Sequence, residues 1–184
     1  MKALHRRFVL LPMAGSAALL LASACATAPT STTTNVRQVM QQGVNAAVLT
    51  VWDVGNNAMS DDGGIDPELM TAQSWSRLQG AAMMMVENGN EMAMAQVIYA
   101  GDAAEADSVP GTVTMEDVQG FIDADPDGFR EAAALFAEHS ARLANAARER
   151  DAQAAGDLVA QLDQVCEVCH SKYWYPEQDV LAGR

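Results

Sequence analysis

Residues 157–173 read DLVAQLDQVCEVCHSKY, and this stretch predicts the last helix of the chain. Asp157 is a residue type that caps helix N-termini, and Gly156 before it is expected to end the preceding helix. Apolar residues recur at helical spacing, at Leu158, Leu162, Val165, Cys166 and Cys169. Pro176 then limits any continuation. The motif C-x-x-C-H therefore lies on the final turns of a predicted helix.

The motif itself is the attachment signature of c-type haem. Two thiols three residues apart, Cys166 and Cys169, can each add to one vinyl group of a single porphyrin. His170 then supplies an axial imidazole to the iron. The sequence predicts one covalently bound haem c per chain.

Other uses of two nearby cysteines fit this sequence less well. A thioredoxin-like C-x-x-C motif needs a βαβ context, and a structural zinc site needs a second pair of ligands. Outside the motif, the chain that remains after a predicted signal peptide offers only His139 and Cys25 as cysteine or histidine ligands. A disulfide within one helical turn would join no distant parts of the chain.

Three further helices are predicted upstream. The first covers 36–55 with Asn35 as its cap, and the second runs from Pro67, after Asp66 as cap, to about residue 86. Asn88 and Gly89 are expected to close the second helix, with a kinked continuation over 90–99 as an alternative. The third covers 127–155. Inward-facing positions follow from helical spacing, and they are Val36, Val39, Met40, Gly43, Ala47, Val48, Val51 and Trp52; Leu69, Trp75, Leu78, Ala82 and Met85; and Phe129, Ala133, Phe136, Leu143 and Ala147.

A long acidic connection is predicted between the second and third helices, at 100–127, with a short helix near 115–122. No repeat and no alternating strand pattern is visible in the sequence. Four amphipathic helices of this length predict an all-α, antiparallel four-helix bundle covering residues 36–175.

Composition and charge limit the function. The chain has 184 residues, of which 49% are hydrophobic, which suits one domain with a real core. The net charge of −13 argues against nucleic acid and favours a protein partner with a basic docking face. No nucleophile–base constellation is visible, so we do not expect an enzyme.

The N-terminal residues predict export. Basic residues in 1–7 precede an apolar run at 8–22, and the small residues that follow are typical of a secretory signal peptide ending at residue 24. Cleavage by the ordinary signal peptidase and a lipoprotein signal with a diacylated Cys25 are the two alternatives. Removing Lys2, Arg6 and Arg7 leaves 8 − 24 = −16 charges. Residues 25–35 predict a flexible tether, and 176–184 a C-terminal tail.

The order of these features resembles the class II c-type cytochromes, the cytochrome c-prime family, over about residues 36–175. In that family the haem motif lies on the last of four helices, and low-spin members carry a methionine ligand on the first. The matching residue is Met40. Tyr173 matches an aromatic residue common in the family, whereas Trp174 stands where the family commonly has arginine. The resemblance implies a low-spin haem with His170 and Met40 as axial ligands, and allows a homodimer.

Several other residues have two interpretations. Arg37 lies one turn from Met40 and either contacts a haem propionate or is a solvated arginine. His139 is either a ligand or a partly exposed helix histidine. Residues 83–85 are three consecutive methionines. Because neighbouring residues on a helix face different directions, we expect part of this run in the core and the rest on the adjacent surface. We expect three aromatic side chains to pack in the core or against the haem, namely Trp52, Trp75 and Phe136.

These observations predict an electron carrier in the periplasm of a Gram-negative bacterium, with or without a lipid tether at Cys25. The alternative is a five-coordinate haem protein that binds nitric oxide or carbon monoxide, in which Met40 is a wall and not a ligand. A third hypothesis is a haem-free envelope lipoprotein with a structural role.

Overall fold

The computed structural model of the chain describes residues 32–61, 63–103 and 113–175. The predicted signal peptide, Cys25 and the C-terminal tail lie outside the described residues. Within the described residues, no helix is both long enough and apolar enough to cross a bilayer.

Helices make up about three quarters of the described residues. A first helical run consists of α1 (Val36–Val39), a π-helical segment (Met40–Val44) and α2 (Asn45–Asn57). The remaining helices are α3 (Ala72–Ala93), α4 (Met115–Ala124), α5 (Pro126–Glu149) and α6 (Ala152–Tyr173). The predicted all-α fold of the cytochrome c-prime type is confirmed, and the predicted short helix near 115–122 is α4.

The first helical run begins where the sequence predicts. The Asn35 side chain accepts a hydrogen bond from the backbone N–H of Gln38 at 3.0 Å. The π-helical segment was not expected. Across it, the next buried residue after Val39 is Val44, five positions later. This is the spacing of an i→i+5 turn.

The start of α3 corrects the sequence prediction. Asp66 does not cap a helix at Pro67, because its side chain accepts from the backbone of Glu68 and closes a turn. The helix begins five residues later, where the Thr71 side chain accepts from the N–H of Ser74 at 3.0 Å. Leu69 consequently lies outside the helix and is 53% exposed, so its predicted inward position is wrong.

The end of α3 also differs from the expected stop near residue 89. Gly89 is buried where α3 crosses α5, and a Cβ there would lie 2.9 Å from the Cβ of Ala137. This glycine permits a close helix–helix approach and does not end the helix.

The boundary between α5 and α6 lies earlier than predicted. Arg150 adopts a left-handed conformation, with φ of 56°, and ends α5. The Asp151 side chain then accepts from the N–H of Ala154 at 3.0 Å and caps α6, so the predicted cap at Asp157 is wrong. Gly156 lies inside α6, where a Cβ would come within 2.9 Å of the backbone nitrogen of Ile65.

Two short parallel strands fasten the start of the first helical run to the end of α3. They are β1 (Thr33–Asn35), at the end of the predicted tether, and β2 (Val97–Tyr99). The N–H of Arg37 continues this attachment by donating to the carbonyl of Ala100 at 3.0 Å. Three residues are too few to show an alternating pattern, which is why the sequence did not predict the strands.

The core lies between α3, α5, α6 and the first helical run. The inward positions predicted for α5 are all buried, and so are the α3 positions Trp75, Leu78, Ala82 and Met85. In the first run Met40 and Gly43 are half-buried, and Trp52 is 39% exposed, so its prediction as a core or haem-packing aromatic is wrong. Val51 and Val54 face the core instead, and Trp52 lies about 100° around the helix from Val51.

Candidate haem-binding site

A cavity of about 420 Å³ lies between the first helical run, α4, α5 and the end of α6. All five predicted site residues in the described part of the chain line it, namely Arg37, Met40, Cys166, Cys169 and His170. Two of them lie near residue 40 and three near residue 170. The fold therefore brings together two groups of residues that the sequence predicted independently.

The remaining lining of the cavity is largely apolar. Its apolar residues come from every element around it and include Val36, Val44, Met92, Val118, Ile122, Phe129, Ala132, Ala133, Phe136 and Val165. A predominantly apolar pocket with a few convergent polar groups suits a large hydrophobic ligand. The side chains present, two thiols and an imidazole at one apolar cavity, fit a covalently attached porphyrin.

The two attachment cysteines are half-buried neighbours on α6 and form no disulfide. Burial raises the pKa of the Cys166 thiol to about 11, and the nearby carboxylates of Asp163 and Glu167 add to the effect. Burial also raises the pKa of Cys169 to about 11. Redox-active C-x-x-C pairs have a lowered thiol pKa, so these values argue against a dithiol–disulfide site.

His170 has a defined environment on one side of its ring. Its Nδ1 lies 3.3 Å from the hydroxyl oxygen of Tyr175 and 4.0 Å from Oε1 of Glu167. The Tyr175 hydroxyl in turn donates to Glu167, and this hydrogen bond raises the pKa of Tyr175 to about 12. Neither Glu167 nor Tyr175 is predicted as a site residue from the sequence, although the i, i+3 spacing of Glu167 and His170 is a visible signal.

Met40 is the first residue of the π-helical segment and is half-buried at the cavity. The segment places Met40, Gln41 and Val44 on the same cavity wall as Asn45, the first residue of α2. Gly43 allows this segment to approach α3, because a Cβ there would lie 2.2 Å from the side-chain oxygen of Asn88. Whether Met40 binds iron stays a prediction.

Arg37 lies at the edge of the same wall. Its guanidinium donates to the carbonyl of Asp102 at 2.9 Å. Gly101 has a φ of 139°, and a Cβ there would come within 2.7 Å of the Arg37 Cβ. The segment after β2 therefore holds Arg37 at the cavity, where its contact with a propionate stays a prediction.

Tyr173 and Trp174 complete the cavity at the end of α6. Tyr173 is buried, donates to the carbonyl of Asp125 at 3.1 Å and packs edge-on against Phe129 with ring centroids 5.4 Å apart. Lys172 pairs with the Asp125 side chain beside it. Trp174 is half-buried and lines the cavity where the family commonly has arginine.

His139 does not line the cavity. It is 1% exposed, and its Nε2 lies 2.9 Å from the carbonyl of Leu158, which links α5 to α6. Burial lowers its pKa, and the nearby Arg142 guanidinium acts in the same direction. His139 is therefore a helix histidine away from the cavity, but the prediction that it is partly exposed is wrong, because its side chain packs between α5 and α6. In the methionine run, Met85 is buried while Met83 and Met84 are exposed, as predicted.

Comparison with known proteins addresses the C-terminal half of this site. The family model described as Cytochrome C' matches residues 116–174, which include nearly all of α4, all of α5, and Cys166, Cys169 and His170. This match, over about a third of the chain, supports the resemblance to the class II c-type cytochromes. The family implies covalently bound haem c, and its proteins are typically periplasmic.

The match begins at residue 116, well after the first helical run in the sequence. It therefore does not address Met40 or Arg37. No curated protein and no solved structure matches the chain. The similarity to class II cytochromes therefore rests on the part of the chain that carries the C-x-x-C-H motif. The opposite cavity wall is known only from the chain's own structure.

Proposed function

We propose that the chain is a class II cytochrome and an exported electron carrier with His170 and Met40 as the two axial ligands. The observation that supports the proposal is that Met40 lines the same cavity as the C-x-x-C-H motif, although about 130 residues separate them. Bound haem iron supplies a one-electron redox couple.

The residues at the cavity have separate roles that together suit electron transfer. Cys166 and Cys169 hold the cofactor covalently, so it is retained through repeated redox cycles. A thioether from Met40 opposite His170 favours a raised reduction potential, as in other His/Met haem proteins. Arg37 at the cavity edge could offset the negative charge of a propionate.

Access by a partner protein is favoured near the attachment motif. Val168 lies between the two cysteines and is 53% exposed, so the attachment segment reaches the protein surface. The predicted exported chain carries −16 charges. We therefore propose a redox partner with a basic docking face, whose approach is accelerated by this charge.

Electron exchange tests this proposal. Ferrous holoprotein is mixed with a small cationic and a small anionic one-electron oxidant of matched potential, at several ionic strengths. We expect the cationic oxidant to react faster and to slow as salt rises, with the opposite salt trend for the anionic oxidant. Saturating carbon monoxide should leave both rates unchanged. Slow reaction with both oxidants, or inhibition by carbon monoxide, would contradict an electron carrier with filled axial positions.

A second candidate function is binding of nitric oxide or carbon monoxide. The apolar residues Val36 and Val44 beside Met40 favour it, because such a wall can admit a small apolar gas. In that case Met40 does not bind iron, and the ferrous protein takes up carbon monoxide.

We also propose export to the periplasm with a lipid tether at Cys25. The thiol follows small residues at the end of the predicted signal peptide. Cell fractionation tests this: wild-type protein should be found with membranes, and Cys25→Ser protein should be soluble or remain uncleaved. Soluble wild-type protein would mean ordinary cleavage without a tether.

A further inference from the structure

The chain turns back on itself immediately after α6, and this turn brings Tyr175 to His170. The N–H groups of Trp174 and Tyr175 both donate to the carbonyl of His170, each at 2.9 Å. The His170 and Tyr175 ring centroids are 5.6 Å apart, with planes tilted by 53°. Backbone hydrogen bonds, and not only a flexible side chain, therefore hold the phenol beside the imidazole.

The directions of the hydrogen bonds follow from the chemistry of the three groups. An ionised carboxylate only accepts, so the Tyr175 hydroxyl donates its single hydrogen to Glu167. The phenol oxygen can then only accept from Nδ1–H of His170, at 3.3 Å. With the proton on Nδ1, the lone pair of Nε2 is left for iron.

We propose that Tyr175 and Glu167 are positioning residues that fix the tautomer and orientation of the His170 ligand and set the reduction potential of the haem. Metal-ligating histidines usually donate their other N–H to an acceptor, which raises the basicity of the ligand. Here the acceptor is a phenol polarised by a carboxylate. The inference rests on haem attachment with His170 as a ligand, but it holds whether or not Met40 is the second ligand.

The hydrogen bond has a definite electronic consequence. Donation from Nδ1–H gives the imidazole more anionic character, which stabilises ferric over ferrous iron and lowers the reduction potential. Removing the Tyr175 hydroxyl should therefore raise the potential. The Tyr175 to phenylalanine change alters no charge, so a change in overall charge cannot cause the effect.

The first test is redox titration of the holoprotein. We expect Tyr175→Phe to raise the ferrous-to-ferric ratio at a fixed ambient potential at least threefold, which is about 28 mV at about 59 mV per tenfold for one electron. Tyr99→Phe is the matched control, because it removes a tyrosine–carboxylate hydrogen bond, to Asp102, from a residue that does not line the cavity. It should leave the ratio unchanged.

A second pair of variants separates the hydrogen bond from the local charge. Glu167→Gln should raise the potential more than Asp163→Asn. The latter neutralises a carboxylate one turn earlier on α6, and it is Glu167 that accepts the hydrogen bond from Tyr175. An equal rise in these two variants, together with no rise in Tyr175→Phe, would mean that charge alone acts and would overturn the proposal.

Proton exchange provides a readout that a merely structural role would not change. The His170 Nδ1–H signal, followed by NMR of the paramagnetic holoprotein, should exchange with solvent faster in Tyr175→Phe than in wild type or Tyr99→Phe. Identical exchange in all three proteins would overturn the proposal. The response of each protein to carbon monoxide reports on Met40 separately, so failure of the electron-carrier assignment and failure of this inference give different results.

Discussion

The two sides of the haem cavity are built in different ways. The attachment side is the end of α6, where Cys166, Cys169 and His170 lie within five consecutive residues of a regular helix. The opposite wall is the first helical run, where Met40 begins a π-helical segment. Gly43 there packs on Asn88 of α3, and the chain after β2 holds Arg37. Covalent attachment therefore depends on local spacing, whereas the second axial position depends on tertiary packing.

The largest expected effect comes from the attachment side. Replacing both Cys166 and Cys169 with serine should abolish covalent haem, because no thioether can form. Haem staining of the protein after denaturing electrophoresis measures this directly. Cys25→Ser is the control and should keep its haem. Haem that stays bound to the double variant under denaturing conditions would show that attachment does not depend on these thiols.

The next effect tests the opposite wall. Met40→Leu keeps the side-chain volume but removes the sulfur, so it should convert a six-coordinate haem to a five-coordinate one that binds carbon monoxide. Absorption spectra of the ferrous protein with and without carbon monoxide measure the change. Met92→Leu, at the other methionine lining the cavity, should keep the wild-type spectrum.

If Met92→Leu and not Met40→Leu opens the coordination site, the ligand has been assigned to the wrong element. If neither variant changes the spectrum, the wall formed by the first helical run does not supply a ligand.

A smaller effect is expected from the packing of α3, which supports the opposite wall through Asn88. Gly89→Ala should lower the free energy of unfolding by about 1–3 kcal/mol, because its Cβ would meet Ala137 and Phe136 on α5. Gly80→Ala lies on the same helix with open space around it and should raise that free energy by about 0.5–1 kcal/mol. Denaturant titration of the holoprotein measures both. A Gly89→Ala protein at least as stable as Gly80→Ala would mean that this helix crossing is not tightly packed.

The smallest effect is a pH dependence from His139, which joins α5 to α6 behind the attachment side. Burial lowers its pKa below the unfolded value of about 6.5, so the unfolded chain binds the proton more readily. The stabilisation is fully present above about pH 6.5 and is lost as the pH falls toward the lower, folded pKa. Denaturant unfolding between pH 7.5 and 5.5 should show a shallower loss of stability in His139→Gln than in wild type. A difference between the two proteins that does not change with pH would contradict this role.

What the sequence predicts best rests on local chemistry. The spacing of Cys166, Cys169 and His170 predicts a haem site without any knowledge of the fold, and the structure places all three side chains at one cavity. The predicted cap at Asn35 is confirmed at the start of the first helical run. Helical periodicity also identified the buried face of α5, because a long regular helix keeps the same face toward the core along its whole length.

The predictions that failed depend on contacts between distant residues. Gly89 and Gly156 were interpreted as helix stops, but each lies where another part of the chain comes within 3 Å of a Cβ position. The π-helical segment changes the spacing of inward-facing residues from that of a regular α-helix. Regular helical spacing therefore does not predict which residues form the cavity wall around Met40. The contact between Tyr175 and His170 requires the chain to turn after α6, and nothing in the motif specifies that turn.

The measurement that most directly tests the central claim is the absorption spectrum of reduced, wild-type holoprotein before and after carbon monoxide is added. With both His170 and Met40 bound to iron, we predict a sharp low-spin spectrum that carbon monoxide does not change. A broad high-spin spectrum that shifts on addition of carbon monoxide would contradict the claim, because it would show that the coordination position facing Met40 is open.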